Sequence, residues 1–361
     1  STSRTLLHRT PDGRPIPGTF ADDNELFAFA DVLGRHGRGV FESAPRFEKA
    51  GADWAGLKHE IRTLGEITRR SGRPSTFGLV YNAVRPDMSD VALAEVAAEN
   101  SNGAELRPQT TCRPIGVVLG IQHRTPWARA GATWKSMQHM DLAERLALIR
   151  DPESRTVLIE EANNPERIHG GGSAMVDLSR LYLLDAEDPD YRVGPEGTLE
   201  AKAAEAGVTP VEYFLSETDR SNGSVMLSLP ILNQDYEAIE TMMEDDAIVM
   251  GLADAGARGG QIMDSSQPTY FLSHWVRDTG FFTVEEGVRR ITSDTADLFG
   301  LVDRGRIVEG GYADINVIDF DRLSLSGPEY VHDFPGGAGR YIQRGTGYDA
   351  TIVNGKVFME D

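Results

Sequence analysis

The 361-residue chain has a single cysteine, Cys112, and it lacks any apolar run long enough to span a membrane, about 20 residues. One cysteine excludes a disulfide within the chain and suits a reducing compartment, so we interpret the chain as cytoplasmic, with no membrane association. Basic residues are also scarce, with 36 Lys and Arg against 56 Asp and Glu and a formal net charge of −20. This charge opposes binding to nucleic acid or anionic membranes and favours a small-molecule substrate.

Glycine and proline are plentiful, and they separate short apolar segments from amphipathic ones. Strand-like segments at residues 1–7, 39–44, 75–83 and 104–114 alternate with segments of helical periodicity, and a further apolar run ends near residue 252. Strands that alternate with helices pair in parallel through right-handed crossovers. The sequence therefore predicts an α/β fold with a parallel sheet.

Two regions depart from this alternation. Residues 117–232 form a long excursion, rich in loops, with helices predicted near 142–149 and 199–206. Residues 305–320 and 348–359 alternate apolar and polar side chains, and Asn354-Gly355 predicts a hairpin turn between two strands. We expect a main domain over residues 1–300 and a separate sheet segment over 301–361.

Polar residues stand at the predicted strand ends, where parallel α/β proteins bind their ligands. Asp254 follows the apolar run in the segment AIVMGLADAGAR, at residues 247–258. Glu42, the pair Tyr81-Asn82, and Gln109 stand at the ends of three earlier strands. Asp254 is the first candidate for chemistry, and the alternative is that it caps the helix or turn that follows.

Several segments together resemble one known family. They are GLADAGA at 251–257, VEEGVRRITSDTADLFG at 284–300, the D-R-G-x-I-x-x-G-x-x-A-D pattern at 303–314, and ATIVNGKVF near the end. These segments are similar to the N-acyl-D-amino-acid deacylase (D-aminoacylase-like) branch of the amidohydrolase superfamily. The resemblance implies a TIM-type (β/α)8 barrel with a β-sandwich built from the chain ends, and hydrolysis of amide bonds with one or two zinc ions.

The resemblance also assigns positions on that barrel. Residues 1–7 would end the fourth strand, Glu42, Tyr81-Asn82 and Gln109 the fifth to seventh, and Asp254 the eighth. This makes the chain a partial barrel of about the last five strands. The aspartate of the eighth strand would contact the metal and accept a proton from the attacking water.

The sequence departs from the family pattern in its metal ligands. The His-x-His pair of the first strand, the histidines of strands five and six, and a bridging lysine are not found, and Arg258 stands where relatives more often have histidine. The candidate ligands are Asp254, Glu42 and His123, which favours one zinc ion over two. Arg4, Arg113 and Arg258 are candidate clamps for a substrate carboxylate, each with an ion pair as its structural alternative. Tyr81, Asn82 and Gln109 complete the expected substrate-binding set.

These departures lead to three hypotheses. The first is an amidohydrolase completed by a second polypeptide, which would supply the N-terminal barrel strands and metal-binding histidines in an oligomer. The second is a non-catalytic scaffold or regulatory subunit that retains the barrel. The third is a hydrolase, or a self-processed chain, that uses Ser1 as an N-terminal nucleophile with its own amine as base.

Overall fold

The computed structural model describes residues 1–47, 53–164, 177–184, 189–192, 194–252 and 265–360. In these ranges the strands, numbered in chain order, are β1 (Thr2–Ser3), β2 (Phe41–Ala44), β3 (Ser75–Phe77), β4 (Gln109–Thr110), β5 (Ile115–Gly120), β6 (Tyr182–Leu184), β7 (Met226–Leu232), β8 (Val249–Met250), β9 (Ile315–Ile318), β10 (Ser324–Leu325), β11 (Glu329–Val331), β12 (Arg340–Ile342), β13 (Gly345–Thr346), β14 (Tyr348–Val353) and β15 (Lys356–Glu360). The α-helices are Asp23–His36, Ala55–Ser71, Met88–Ser101, Ala132–Met137, Leu142–Arg150, Pro152–Asn163, Leu199–Ala206, Pro210–Arg220, Tyr236–Glu244, Gln267–Tyr270, Val284–Ile291 and Ser293–Phe299, and Phe271–Asp278 continues as a π-helix. In this part of the chain, no helix combines the length and apolarity that crossing a membrane requires.

Five strands form the parallel row, in the order β1, β2, β3, β4, β8. β1 pairs with β2 and β2 with β3, β4 pairs with β8, and all three pairs are parallel. Isolated parallel bridges from Ser75 to Leu106 and from Gly78 to Gln109 join the two groups. The mixed α/β fold predicted from the alternation is confirmed. The strands are shorter than predicted, and β3 ends at Phe77, so that Tyr81 and Asn82 lie in the loop beyond it.

The helices cover one face of the row because their apolar residues recur at helical spacing. Leu57, Ile61 and Leu64 of helix Ala55–Ser71 are buried in the main core. Each such side chain stabilises the fold by about 1.5–3 kcal/mol. Helix Asp23–His36 begins where the Asp22 side chain accepts a hydrogen bond from the Glu25 amide, and it ends at a left-handed glycine.

The described part of the excursion is a packed lobe, and the stretch predicted to be a loop at residues 169–175 lies outside the described residues. The two predicted helices are present, but β5, β7 and β6 also form an antiparallel sheet, which the sequence analysis missed. We call the described part of residues 115–232, from the start of β5 to the end of β7, the excursion lobe. It has its own core, in which Trp127 packs against Trp134 and Phe214 with ring centroids 5.7 and 5.4 Å apart.

The C-terminal sheets are antiparallel, as predicted, but smaller. β14 pairs with both β15 and β9, and Asn354 and Gly355 form the hairpin turn with φ of 51° and 75°. The prediction of β structure from residue 305 was too long, because only Ile315–Ile318 of that segment forms a strand. β10 to β13 add two further two-stranded pairs.

Candidate functional site

The face of the parallel row turned away from the helices is polar. Phe41 of β2 packs in the core beneath the helices, whereas the next residue, Glu42, is exposed. Glu42 is in register with Thr76 of β3, so both side chains point to the same face. Thr76 accepts a hydrogen bond from Nε2 of Gln109 at 2.9 Å. We call Glu42, Thr76 and Gln109 the polar face, and it brings together two of the predicted site residues.

Asp254 and Arg258, the sharpest predictions from sequence, lie outside the described residues. The chain on the N-terminal side of these two residues is described as far as Leu252. A side chain at Gly251 would stand 2.7 Å from Oε1 of Gln109, and Leu252 packs against Gly78. The segment that carries Asp254 therefore starts beside the polar face.

Arg4 is held in a buried ion pair at the carboxyl end of β1. Its guanidinium lies 2.8 Å from Glu60, and both side chains are 8% exposed. It also donates to the carbonyl of Ala21 at 2.5 Å, and the Arg46 amide donates to Glu60. This is the structural alternative foreseen for the arginines. Each nitrogen of the Arg4 guanidinium has a partner here, and the assignment of Arg4 as a substrate clamp stays a prediction.

Arg113 follows β4 and is also buried. It donates to Oγ of Ser266 at 3.0 Å, and its guanidinium lies 4.1 Å from the centre of the Tyr191 ring. Tyr191 contacts Tyr270 edge to face. The predicted carboxylate clamp is thus enclosed by aromatic and hydroxyl groups at the carboxyl end of the row.

Tyr81 and Asn82 lie in the loop after β3 and are partly exposed. Oδ1 of Asn82 accepts a hydrogen bond from the Val84 amide at 2.9 Å, which closes a local turn. The backbone of Tyr81 is bonded to Asn233 in both directions, at 2.7 and 2.9 Å. The side chain of Asn82 therefore shapes the loop, and Tyr81 is anchored through its main chain.

An aromatic cluster that sequence reasoning missed lies beside Arg113. The hydroxyls of Tyr236 and Tyr270 are 2.9 Å apart, and Trp275 donates to the carbonyl of Cys112 at 2.6 Å. Burial raises the pKa of both tyrosine hydroxyls and lowers the pKa of His274, which packs against Tyr270. These groups are neutral near pH 7 and act as hydrogen-bonding or apolar walls rather than as charges.

A serine–histidine contact at the end of β1 also escaped the sequence analysis. Oγ of Ser3 lies 2.6 Å from Nδ1 of His8, in an exposed loop. Ser1, the candidate N-terminal nucleophile, is exposed and lines a groove with Phe29 and Val32. The only signal in the sequence was the proximity of the two residues in the chain.

His123 is a residue of the excursion lobe that contacts the C-terminal sheets. Its ring stacks on Tyr330 with centroids 5.2 Å apart, and Nδ1 is 3.1 Å from the Tyr330 hydroxyl. Burial lowers the pKa of His123, and the neighbouring Arg145 and Arg124 lower it further. The described contacts of this ring are those of an interface residue, which argues against its prediction as a zinc ligand.

The described residues do not by themselves form a zinc site. Among them, no group of three or more His, Cys, Asp or Glu side chains is placed to hold a metal ion. Zinc sites in proteins take three or four such ligands. Glu42 alone offers an exposed carboxylate on the polar face, so a zinc ion there would need ligands from beyond the described residues.

Comparison with known proteins agrees with this architecture. Residues 199–359 match the amidohydrolase family model. A stretch of 55 residues is 42% identical to N-acyl-D-glutamate deacylase of Alcaligenes xylosoxydans xylosoxydans, over 15% of this chain and 11% of that protein.

The solved structures extend the likeness to nearly the whole chain. One structure of D-aminoacylase, solved to study its binuclear metal centre, shares the fold with a TM-score of 0.53. The two sequences are 18% identical, and the match covers 96% of this chain and 58% of the D-aminoacylase chain. N-acyl-D-glutamate deacylase from Bordetella bronchiseptica, in complex with zinc and a phosphonate inhibitor, gives 0.50 at 17% identity, over 94% and 57%. This chain therefore spans less than two thirds of each relative. Residues 199–359 are thus similar to the amidohydrolase family, and the chain shares its fold with D-aminoacylase and N-acyl-D-glutamate deacylase.

Proposed function

We propose that this chain is one part of a two-part amidohydrolase that hydrolyses the amide bond of an N-acyl amino acid or a related small molecule. The observation that carries the proposal is the polar face, which lies where the segment bearing Asp254 begins. The family match includes that segment and the sheets that follow it. The names of the relatives supply the reaction class, cleavage of a C–N bond outside a peptide chain.

In this proposal the residues of the chain have distinct tasks. Asp254 is the general base, a role that a carboxylate near the attacking water performs. Gln109 and the loop of Tyr81 and Asn82 offer hydrogen bonds to the substrate, and Arg113 and Arg258 are the candidates to bind its carboxylate. Arg4 instead keeps the end of β1 in place.

The proposed cofactor is one zinc ion, with ligands divided between two polypeptides. Asp254 and Glu42 are the candidates from this chain, and histidines of the second polypeptide would complete the set. Zinc suits amide hydrolysis because it polarises a carbonyl oxygen and acidifies bound water. The described residues show no complete ligand group of their own, and Asp254 lies outside them.

The need for a second polypeptide is supported by the two ends of the parallel row, which we interpret as strands four to eight of the barrel. Among the described residues, β1 has a strand on one side only, as has β8. Helix Asp23–His36 buries Leu26 and Ala30 but leaves Phe29 and Val32 exposed along a groove of about 570 Å³. An open edge beside an apolar groove favours the addition of another strand and helix.

The other end of the row shows the same feature. Helix Val284–Ile291, which packs on β8, exposes Val284 and Val288 one turn apart. About two fifths of the D-aminoacylase chain has no counterpart here. In the proposed assembly, the second polypeptide would cover both ends of the row.

The proposal is tested by hydrolysis of N-acetyl-D-glutamate, followed as release of free D-glutamate, with zinc supplied. We expect Asp254→Ala to reduce turnover by about 10²-fold or more, because a general base contributes 10²–10⁴-fold. Asp321→Ala, at an exposed aspartate, is the control and should leave turnover unchanged. Equal turnover in Asp254→Ala and the wild type would exclude Asp254 as the base.

A scaffold role is the second candidate, and the lack of a ligand group among the described residues favours it. Metal analysis and the Asp254→Ala assay separate the two, because turnover that depends on a scaffold subunit would be unchanged in Asp254→Ala. The third hypothesis, an N-terminal nucleophile, predicts that Ser1→Ala abolishes turnover or processing. It has no support beyond the exposure of Ser1.

A further inference from the structure

Asn233 is a fully buried polar residue at the junction between the excursion lobe and the parallel row. It directly follows β7, the last strand of the lobe, and its side chain is 0% exposed. Its φ of 54° is in the left-handed region, which asparagine tolerates better than other residues with a side chain. A buried amide in a strained backbone persists only where its surroundings hold it firmly.

On one side Asn233 holds the loop after β3. Its Oδ1 accepts a hydrogen bond from the Tyr81 amide at 2.7 Å, and its own amide donates to the Tyr81 carbonyl at 2.9 Å. Next to it, Oε1 of Gln234 accepts from the Ala83 amide at 3.3 Å. The loop of Tyr81 and Asn82 is thus bonded through its main chain to a residue about 150 positions away.

On the other side Asn233 holds the chain after β4. Its Nδ2 donates to Oγ1 of Thr111 at 2.8 Å, and it approaches Oγ1 of Thr110 at 3.2 Å and the Thr111 carbonyl at 3.3 Å. The Thr111 hydroxyl donates in turn to the carbonyl of Arg113 at 2.7 Å. One amide therefore connects the Tyr81 loop with the backbone that carries Arg113.

We propose that Asn233 is a positioning residue of the substrate site, which fixes the spacing between the Tyr81 loop and Arg113. This inference rests on the proposed function, in which both segments face the substrate. Asn233 contacts neither the reacting bond nor the metal, and it acts through the two segments that it joins. It also makes the excursion lobe part of the site, because the lobe supplies the connection.

The variants separate the two halves of the connection. Asn233→Ala removes both halves, and Asn233→Asp keeps the acceptor for the Tyr81 amide but replaces the donor to Thr111. Thr111→Val breaks the second half from the other end without changing Asn233. Asn222→Ala is the matched control, since Asn222 also has a positive φ of 50° but its Oδ1 accepts from Arg150 at the surface.

Two measurements are made on matched preparations of the wild type and each variant. Hydrogen exchange is followed in the peptides that contain residues 79–84 and 110–113, and kcat and KM are measured for N-acetyl-D-glutamate. We expect Asn233→Ala to speed exchange of the Tyr81 amide at least tenfold and to lower kcat/KM by roughly 10²-fold, mainly through KM, because small misplacements of binding groups have effects of that size. Asn233→Asp and Thr111→Val should retain more protection at Tyr81 yet still raise KM.

Unchanged Tyr81 exchange in folded Asn233→Ala would overturn the proposal, as would faster exchange with unchanged kinetics. If Asn233→Ala does not fold, Thr111→Val carries the test, and an unchanged KM in that variant overturns the proposal. Failure of the proposed function looks different. In that case no assembly of the wild type cleaves the amide, while the exchange data still report whether Asn233 holds the two segments.

Discussion

The parallel row and the C-terminal sheets both contain arginine–carboxylate pairs, but at different depths. Arg4 and Glu60 are 2.8 Å apart at the end of β1, and each side chain is 8% exposed. Arg340 and Asp333 beside β12 are 2.7 Å apart, with 38% and 48% exposed. The two pairs have nearly the same distance and chemistry, so the difference in burial decides how much each contributes to stability. Removing one member of a buried pair strands a charge, whereas water replaces a lost surface partner.

The largest expected effect comes from the buried pair. Glu60→Ala leaves the Arg4 guanidinium buried without its carboxylate, and we expect the free energy of unfolding to fall by about 3–5 kcal/mol. Asp333→Ala is the matched control and should not shift the urea midpoint measurably. Equal losses in both variants would show that depth does not separate the two regions.

A smaller effect is expected at a helix start in the excursion lobe. Thr209 and Glu212 form a reciprocal capping box at helix Pro210–Arg220. Thr209→Ala should destabilise the protein by about 1 kcal/mol, because a backbone amide loses its acceptor. Thr241→Ala, which removes a hydroxyl bonded within a helix to the Glu237 carbonyl, is the control in urea unfolding. If Thr241→Ala lowers the free energy of unfolding as much as Thr209→Ala does, loss of the helix cap is not the cause of the destabilisation.

The smallest effect is a pH dependence where the lobe meets the C-terminal sheets. Burial lowers the pKa of His123 below its ordinary value of 6.5, so the unfolded chain binds the proton more readily than the folded one. Stability therefore falls as pH decreases below about 6.5, until the lowered pKa is passed. His123→Gln should flatten this part of a stability–pH curve relative to the wild type, with the exposed His139→Gln as control. An unchanged slope would contradict the buried, neutral assignment.

Local features were predictable from sequence. The Asn354-Gly355 turn was predicted because it depends on two adjacent residues. The helix caps at Asp22 and Thr283 likewise involve residues only three positions apart. The parallel alternation was also predictable, because strand and helix periodicities differ.

Features that depend on distant contacts were not predictable. The antiparallel sheet of the lobe pairs β5 with a strand more than a hundred residues later, and nothing in either strand specifies the other. Glu60 is 56 residues from Arg4, and Asn233 is 152 from Tyr81. A buried acid or amide looks, in sequence, like any exposed one. This is why Arg4 was interpreted as a clamp and Asn233 was overlooked.

The central proposal is that, in the active species, a second polypeptide completes the parallel row of this chain. The most direct measurement is native mass spectrometry of a preparation that hydrolyses N-acetyl-D-glutamate, with cross-links mapped from Ser1, Phe29 and Val32. We predict that activity accompanies a complex in which a different chain cross-links to this groove and zinc is present. Full activity in a species that contains only this chain, with no other polypeptide near Ser1, would contradict the claim.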